Sequence, residues 1–363
     1  MDDKLSLWNA ETAWWTGLLQ TTIYFEREET KKMAAKSEKK KSAFNKKSPG
    51  AKRSKGTAGS RSAVVGVVIA VVGLLLVFEA ISLFKTPEVE KAILAQVIGQ
   101  FSGTEQACGK FGAWDVTTVG NEKIAITDQQ NGRILFFDRT GKFLKAWGKK
   151  GEGATELKEP SGITSDPKGI VYFVDAWKST VMGLDSKDKI TLTVPLTHGF
   201  YGPRGVAFDG SYFYIADTGT HRVAKVSPQG EVVASWGGGK MGSGKNELNN
   251  PRSLKVDGKG NIYVADFENS RVQVLDPSGK FILAIKAGNK VTDVAVDNAG
   301  RIFASSMDGN FVKVFGPDGK YIGQLKDSKG SDALFRSVSG MSLTPDGVLL
   351  LTANDQVVMV RVP

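Results

Sequence analysis

Two hydrophobic patterns divide the chain. Residues 62–85 read SAVVGVVIAVVGLLLVFEAISLFK, and between 63 and 84 the single charge is Glu79, near the far end. A helix of that length, rising about 1.5 Å per residue, is long enough for a bilayer core of about 30 Å. A signal-peptide core is shorter and sits nearer the start of a chain, and a buried helix of a soluble domain keeps a polar face. The pattern therefore predicts one uncleaved transmembrane helix over 63–84, with Glu79 either solvated at the interface or touching a partner helix. Beyond Pro87 the pattern changes to short apolar runs separated by Gly-containing turns, the signature of β-strands. A strand ending in Asp recurs at Asp128, Asp175, Asp217 and Asp266, with Ser306 and Ala353 or Asn354 at the equivalent later places. The spacings are 47, 42, 49, 40 and 47 residues. Each interval holds four strands, for example 253–256, 261–265, 271–275 and 280–285. That period predicts an all-β propeller of six blades over 85–363.

The segment before the apolar span splits in two. Over 1–30, Trp8, Trp15 and Leu19 share one helical face with Ile23, and Trp14 and Leu18 lie beside it. This predicts an amphipathic segment that docks on the inner leaflet or on a cytoplasmic or membrane partner. Residues 31–62 are low in complexity, rich in Lys, Ser, Gly and Ala, and read as a basic, mostly disordered linker.

Charge sharpens the topology. The chain carries a net +10. Residues 1–62 hold 14 Lys and Arg against 7 acids, so most of the excess sits there and the propeller is close to neutral. Twelve Lys and Arg lie between 31 and 61, against two between 85 and 105. The positive-inside rule then puts the N-terminus in the cytoplasm of a single-pass cell (inner) membrane protein and the propeller in the periplasm or outside the cell. The basic tail is expected to meet anionic lipid. Only Phe44 interleaves with the lysines, so no specific nucleic-acid partner is expected. One cysteine, Cys108, excludes an internal disulfide, and its thiol is either a small loop residue or a site for an intermolecular bridge. Two histidines, His198 and His221, restrict histidine-based metal chemistry.

The repeated phrase is Pro-x-Gly-[Ile/Val]-x-x-Asp, then Gly-x-Ile-Tyr-Val-Ala-Asp-x-x-Asn-x-Arg-Val-x-Val-x-Asp. Its Asp, Asn and Arg are all present in Asp128/Asn131/Arg133 and Asp266/Asn269/Arg271, and Asp217/Thr220/Arg222 keeps the Asp and Arg. This resembles the NHL repeat. The likeness extends over about 90–363 but is strong in only half of the repeats. It implies that the ring closes by strand exchange, with residues 92–98 supplying a fourth strand to the blade that ends in 357–362, which would hold the propeller close to the bilayer. A carboxylate, an amide and a guanidinium together suit metal binding or catalysis. Their recurrence in blade after blade favours a turn, with Asp and Asn bonding backbone and Arg pairing with Asp.

In a propeller the ligand face is built from the loops between blades and those joining the second and third strands. The loops 99–113, 148–160, 237–251 and 326–340 are long. They are either binding loops or ordinary features of the repeat. Residues just after the inter-blade loops point to the central channel, among them Trp114, Asp115, Ser161, Arg204, Arg252 and Asp293. Arg204 and Arg252 suit a carboxylate or phosphate clamp, unless Asp115 and Asp293 neutralise them in a plain solvated channel. On the rim, Trp177, Tyr201 and Phe267, with His198, Phe200 and His221, suit partner contacts.

These observations favour a non-catalytic, membrane-anchored subunit that binds protein or glycan in a cell-envelope assembly or sensor. The alternative is an extracytoplasmic propeller enzyme, because related six-bladed propellers include calcium-dependent lactonases and zinc-dependent lyases. Those need an axial Glu/Asn/Asp cluster or several histidines on one ion, and no cofactor or metal set is evident here.

Overall fold

The computed structural model describes residues 91–363, except 104–107, 198 and 354. The amphipathic segment with Trp8, Trp14, Trp15 and Leu19, the basic linker, the span at 63–84 and His198 all lie outside the described residues. Among the described residues, no helix is long and apolar enough to cross a membrane.

Six sheets, each built on four antiparallel strands, form six blades. Blade one runs Ala113–Val119, Lys123–Asp128, Arg133–Asp138 and Phe143–Trp147. Blade two runs Pro160–Ser165, Val171–Asp175, Thr180–Leu184 and Ile190–Pro195. Blade three runs Pro203–Phe208, Phe213–Asp217, Arg222–Val226 and Val232–Gly237. Blade four runs Pro251–Val256, Ile262–Asp266, Arg271–Leu275 and Phe281–Lys286. Blade five runs Asp293–Val296, Ile302–Ser306, Phe311–Phe315 and Tyr321–Lys326. Blade six takes Val338–Leu343, Val348–Ala353 and Gln356–Arg361 from the C-terminal end, and Gln96–Ser102 as its outer strand.

Closure differs in one respect from the expectation drawn on 92–98. That stretch is two strands divided at Ala95. Ala92–Leu94 runs parallel to Tyr321–Lys326 as a fifth strand of blade five, and only from Gln96 does the chain join blade six. Ala95 is fully buried, with its amide donating to Lys326 O at 2.7 Å. The N-terminal side of the domain therefore ties two neighbouring blades, covering outer edges that would otherwise be unpaired.

The core follows from the blade geometry. Second strands such as Phe213–Asp217 and Ile262–Asp266 are buried at every position, because another blade covers each face. Outer strands such as Phe281–Lys286 alternate, with Phe281, Leu283 and Ile285 turned inward and Ile282 left in water. Six apolar clusters result, each between one pair of adjacent blades. That between blades two and three joins Val174, Val181 and Val194 to Val206, Phe213 and Ile215. That between blades six and one joins Leu350, Val357 and Met359 to Ile124, Ile126 and Phe137. Six blades and six such interfaces close the ring.

Aspartates set the turns. At Asp-x-x-Gly-Lys, the Asp138 carboxylate accepts from the Thr140 amide at 2.8 Å and the Lys142 amide at 3.0 Å, and Asp276 repeats this with Ser278 and Lys280. Gly141 and Gly279 take φ of 88° and 83°, which an L side chain adopts only with strain.

Candidate functional site

The repeated Asp-x-x-Asn-x-Arg set acts as a staple. Asp266 is buried, and its carboxylate accepts from Asn249 N at 2.7 Å, Asn269 Nδ2 at 2.8 Å and Arg271 Nε at 2.7 Å. Arg271 then donates to the carbonyls of Ser243, Gly244 and Glu247 and so pins the preceding inter-blade loop. Asp128 holds Gly112 N and Arg133, which reaches Cys108 O at 3.0 Å. Burial pushes the Cys108 thiol up from its ordinary value, with the Arg133 charge opposing it. In blade two the guanidinium is replaced by Lys178, whose Nζ donates to the carbonyls of Glu152, Gly153 and Glu156.

These staples fix the residues of one face. Asp175 accepts from Glu159 N at 3.1 Å, and Asp217 accepts from Tyr201 N at 2.9 Å. Asn249 and Asn250, just before blade four, are held by Asp266 and by His221 Nδ1. The innermost strands of blades three and four begin with a β-bulge at Arg204 and at Arg252, where the pairing with the second strand skips a residue. A bulge re-aims its side chain. Here it turns both arginines to the channel mouth, which is lined by Trp114, Arg204, Arg252, Thr292 and Ser339 together with Asp115, Ser253 and Asp293. Ser161 stands at the equivalent place in blade two, with its carbonyl accepting from Thr127 Oγ1 at 2.7 Å.

Arg204 donates to Glu159 Oε1 at 2.9 Å and lies over the Trp114 ring at 5.7 Å. Arg252 lies 3.6 Å from the centre of the Phe267 ring, and among the described residues it has no ion pair. Burial lowers its pKa from the ordinary value, and the Arg204 charge adds to that. Phe267 is itself only 5% exposed, so it is a pedestal for Arg252 and not the exposed rim anchor expected from its position.

Asp115 and Asp293 do not neutralise these arginines by direct pairing. Both are buried and turned to backbone amides, including one on the next blade. Asp115 accepts from Val116 N at 2.8 Å and Ile163 N at 3.0 Å. Asp293 accepts from Val294 N at 2.8 Å and from Met341 N. The opposing charge is Lys255, which shares a strand face with Ser253 deeper in the channel. Burial pushes the Asp115 carboxyl up to about 7, with Asp293 adding to the rise and Lys255 opposing it. Lys255 is not among the residues anticipated from the sequence; its same-face spacing from Ser253 in Pro251–Val256 is the signal that points to it.

Beside the mouth, between blades two and three, a cleft of about 260 Å³ is lined by Glu159, Trp177, Ser179, Phe200, Tyr201 and Arg204. Trp177 is 72% exposed and Tyr201 73%. The structure thus brings Trp177, Tyr201, Arg204 and Trp114 together, with Arg252 and Phe267 across the mouth. Glu159 and Ser179 were not anticipated. Glu159 became visible only through its bond to Arg204.

Comparison with known proteins defines the class. Residues 248–275 match the NHL repeat, and residues 111–201 match a family described as a 6-bladed beta-propeller. The described domain is a six-bladed β-propeller carrying NHL repeat sequence. Over 165 residues the chain is 24% identical to the probable peptidyl-alpha-hydroxyglycine alpha-amidating lyase pgal-1 of Caenorhabditis elegans. That match covers 44% of this chain and 43% of the relative, so the chain spans less than half of that protein's length. Among solved structures, a streptogramin B lyase superposes with a TM-score of 0.54 at 12% identity, over 73% of this chain and 97% of the other. A virginiamycin B lyase from Staphylococcus aureus gives 0.53 at 12%, over 73% and 98%. At such identity the likeness is one of fold.

A zinc ion held by several histidines does not fit these residues. The chain has two histidines in all, and His221 spends Nδ1 on the Asn250 amide. Among the described residues, no three His, Cys, Asp or Glu side chains converge as a metal-ligand set.

Proposed function

We propose that this protein is a non-catalytic binding subunit of a cell-envelope assembly or sensor, engaging a protein or glycan through the channel-mouth face of its propeller. The observation that carries this reading is the cleft between blades two and three. Two large aromatic side chains stand mostly in water there, on loops pinned by buried aspartates and next to an Arg–Glu pair. Exposed, pre-positioned aromatics beside an arginine are the composition of binding hot spots, and rigid loops spare the ordering cost of association. In this reading residues 63–84 anchor the chain in the cell membrane with its N-terminus in the cytoplasm. The segment bearing Trp8, Trp14, Trp15 and Leu19 docks on a membrane or cytoplasmic partner, and the basic linker meets anionic lipid.

The test is co-purification in mild detergent of the full chain beside a Trp177→Ala/Tyr201→Ala variant, with mass spectrometry of both. The reading expects envelope components that follow the wild type and are lost from the variant. Identical partner sets from the two would refute the assignment of the face. A second reading, a lyase, is favoured by the partial likeness to the probable amidating lyase. Release of glyoxylate from a peptidyl-α-hydroxyglycine by the purified chain would support it over the first.

A further inference from the structure

We propose that the channel-mouth face recognises a glycan presenting a carboxylated sugar, with the ring laid in the Trp177–Tyr201 cleft and the carboxylate held by Arg204 and Arg252. This rests on the binding reading above and names the ligand class for that face.

Charge is the first argument. Arg204 and Arg252 occupy the same bulge position in adjacent blades, so their guanidiniums share one mouth. Like charges brought together on rigid strands repel, and an anion between them relieves this. Glu159 already takes one donor of Arg204, whereas Arg252 has no ion pair among the described residues and feels the Asp308 and Glu268 charges only from beyond pairing distance. The mouth therefore keeps one guanidinium without a direct carboxylate contact, which suits a singly charged carboxylate better than a phosphate. Phe267 at 3.6 Å and Trp114 at 5.7 Å lie against the two guanidiniums without accepting a hydrogen bond from them, so the N–H groups not given to Glu159 remain for bidentate bonds to a carboxylate.

The second argument is the continuity of the two depressions. Arg204 lines both the mouth and the aromatic cleft, so a ligand bonded to it by an acid group extends naturally over Trp177 and Tyr201. A sugar ring offers C–H faces to such aromatics while its hydroxyls reach polar groups at the edge. Glu159 and Ser179 supply an acceptor and a hydroxyl on the cleft wall. An acidic peptide would satisfy the arginines but would leave this mixture of flat apolar and hydroxyl-matching groups without a use.

The test is calorimetric titration of the purified full chain in mild detergent with tetragalacturonate and tetramannuronate, and with neutral cellotetraose and a tetraglutamate peptide. At least one uronate should bind ten-fold or more tighter than cellotetraose and than the peptide, with an affinity that falls as salt rises. Arg252→Ala should remove that ten-fold preference and Arg252→Lys should restore part of it, because an ammonium keeps the charge without the fork. Trp177→Ala should weaken acidic and neutral sugars alike. The proposal fails if neither uronate binds, if tetraglutamate binds more tightly, or if Arg252→Ala binds as the wild type. Partners or neutral sugars still lost from Trp177→Ala while Arg252→Ala is silent would remove the carboxylate and leave the binding face standing.

Discussion

Asp115 and Asp293 carry a pH dependence that belongs to single residues. The Asp115 carboxyl titrates near 7 in the fold because burial disfavours its charge, whereas an unfolded aspartate titrates near its ordinary value of 3.8. The native state therefore keeps a proton that the unfolded chain gives up between about pH 4 and pH 7. Stability from this group falls across that window and is level above it. Burial pushes Asp293 the same way, and the Lys255 charge restrains both. Lys255→Met should consequently destabilise the protein by about 2 kcal/mol at pH 8 and by clearly less at pH 5, where the carboxyls are closer to neutral. Urea unfolding at the two pH values measures this, and an equal loss at both would show that Lys255 does not oppose the axial acids. Trp177 and Tyr201 behave oppositely. Their exposure means that the double alanine variant should unfold within about 0.5 kcal/mol of the wild type, so that lost binding reports on contact with a partner. A larger drop on the same urea curve would place them in the fold's own packing.

Elements show what was legible in the sequence and what was not. The staples were, because their residues recur in order and a turn is needed in every blade. Asp266→Ala should cost about 3 kcal/mol by stranding the buried Arg271 charge, and should speed exchange of the Asn249 amide that Asp266 accepts from. Unchanged exchange at Asn249 would contradict the role given to Asp266. The bulges at Arg204 and Arg252 were not legible, since a skipped pairing leaves the residue pattern of a strand intact. For the same reason the fate of Phe267 was hidden. It follows the staple aspartate as Trp177 nearly does, yet Arg252 covers it while the ring of Trp177 stays in water. The division of 92–98 into strands on two blades was hidden too, because no Gly, Pro or other turn residue marks the break at Ala95.

At the scale of the whole molecule, stability rests on closure. Each blade buries its faces only against its neighbours, and Gln96–Ser102 completes the sixth blade. Removing residues 91–102 should leave blade six with a bare edge and replace one cooperative unfolding transition by a broad or multistep one. Calorimetry reads this directly, and a single sharp transition in the truncated chain would contradict the closure. The ring also gives the molecule two unlike faces. One carries the stapled loops, the arginine mouth and the aromatic cleft. The other carries the turns between first and second strands, such as that at Lys259, which lines a separate groove with Asp257 and Asp297. The decisive measurement is site-specific crosslinking in the cells that make the protein, with a photoreactive residue placed at position 177 or at position 259. A defined crosslinked partner from position 177 and none from position 259 is the result expected for a binding face at the channel mouth. A partner captured only from position 259 would put the functional surface on the opposite side of the propeller.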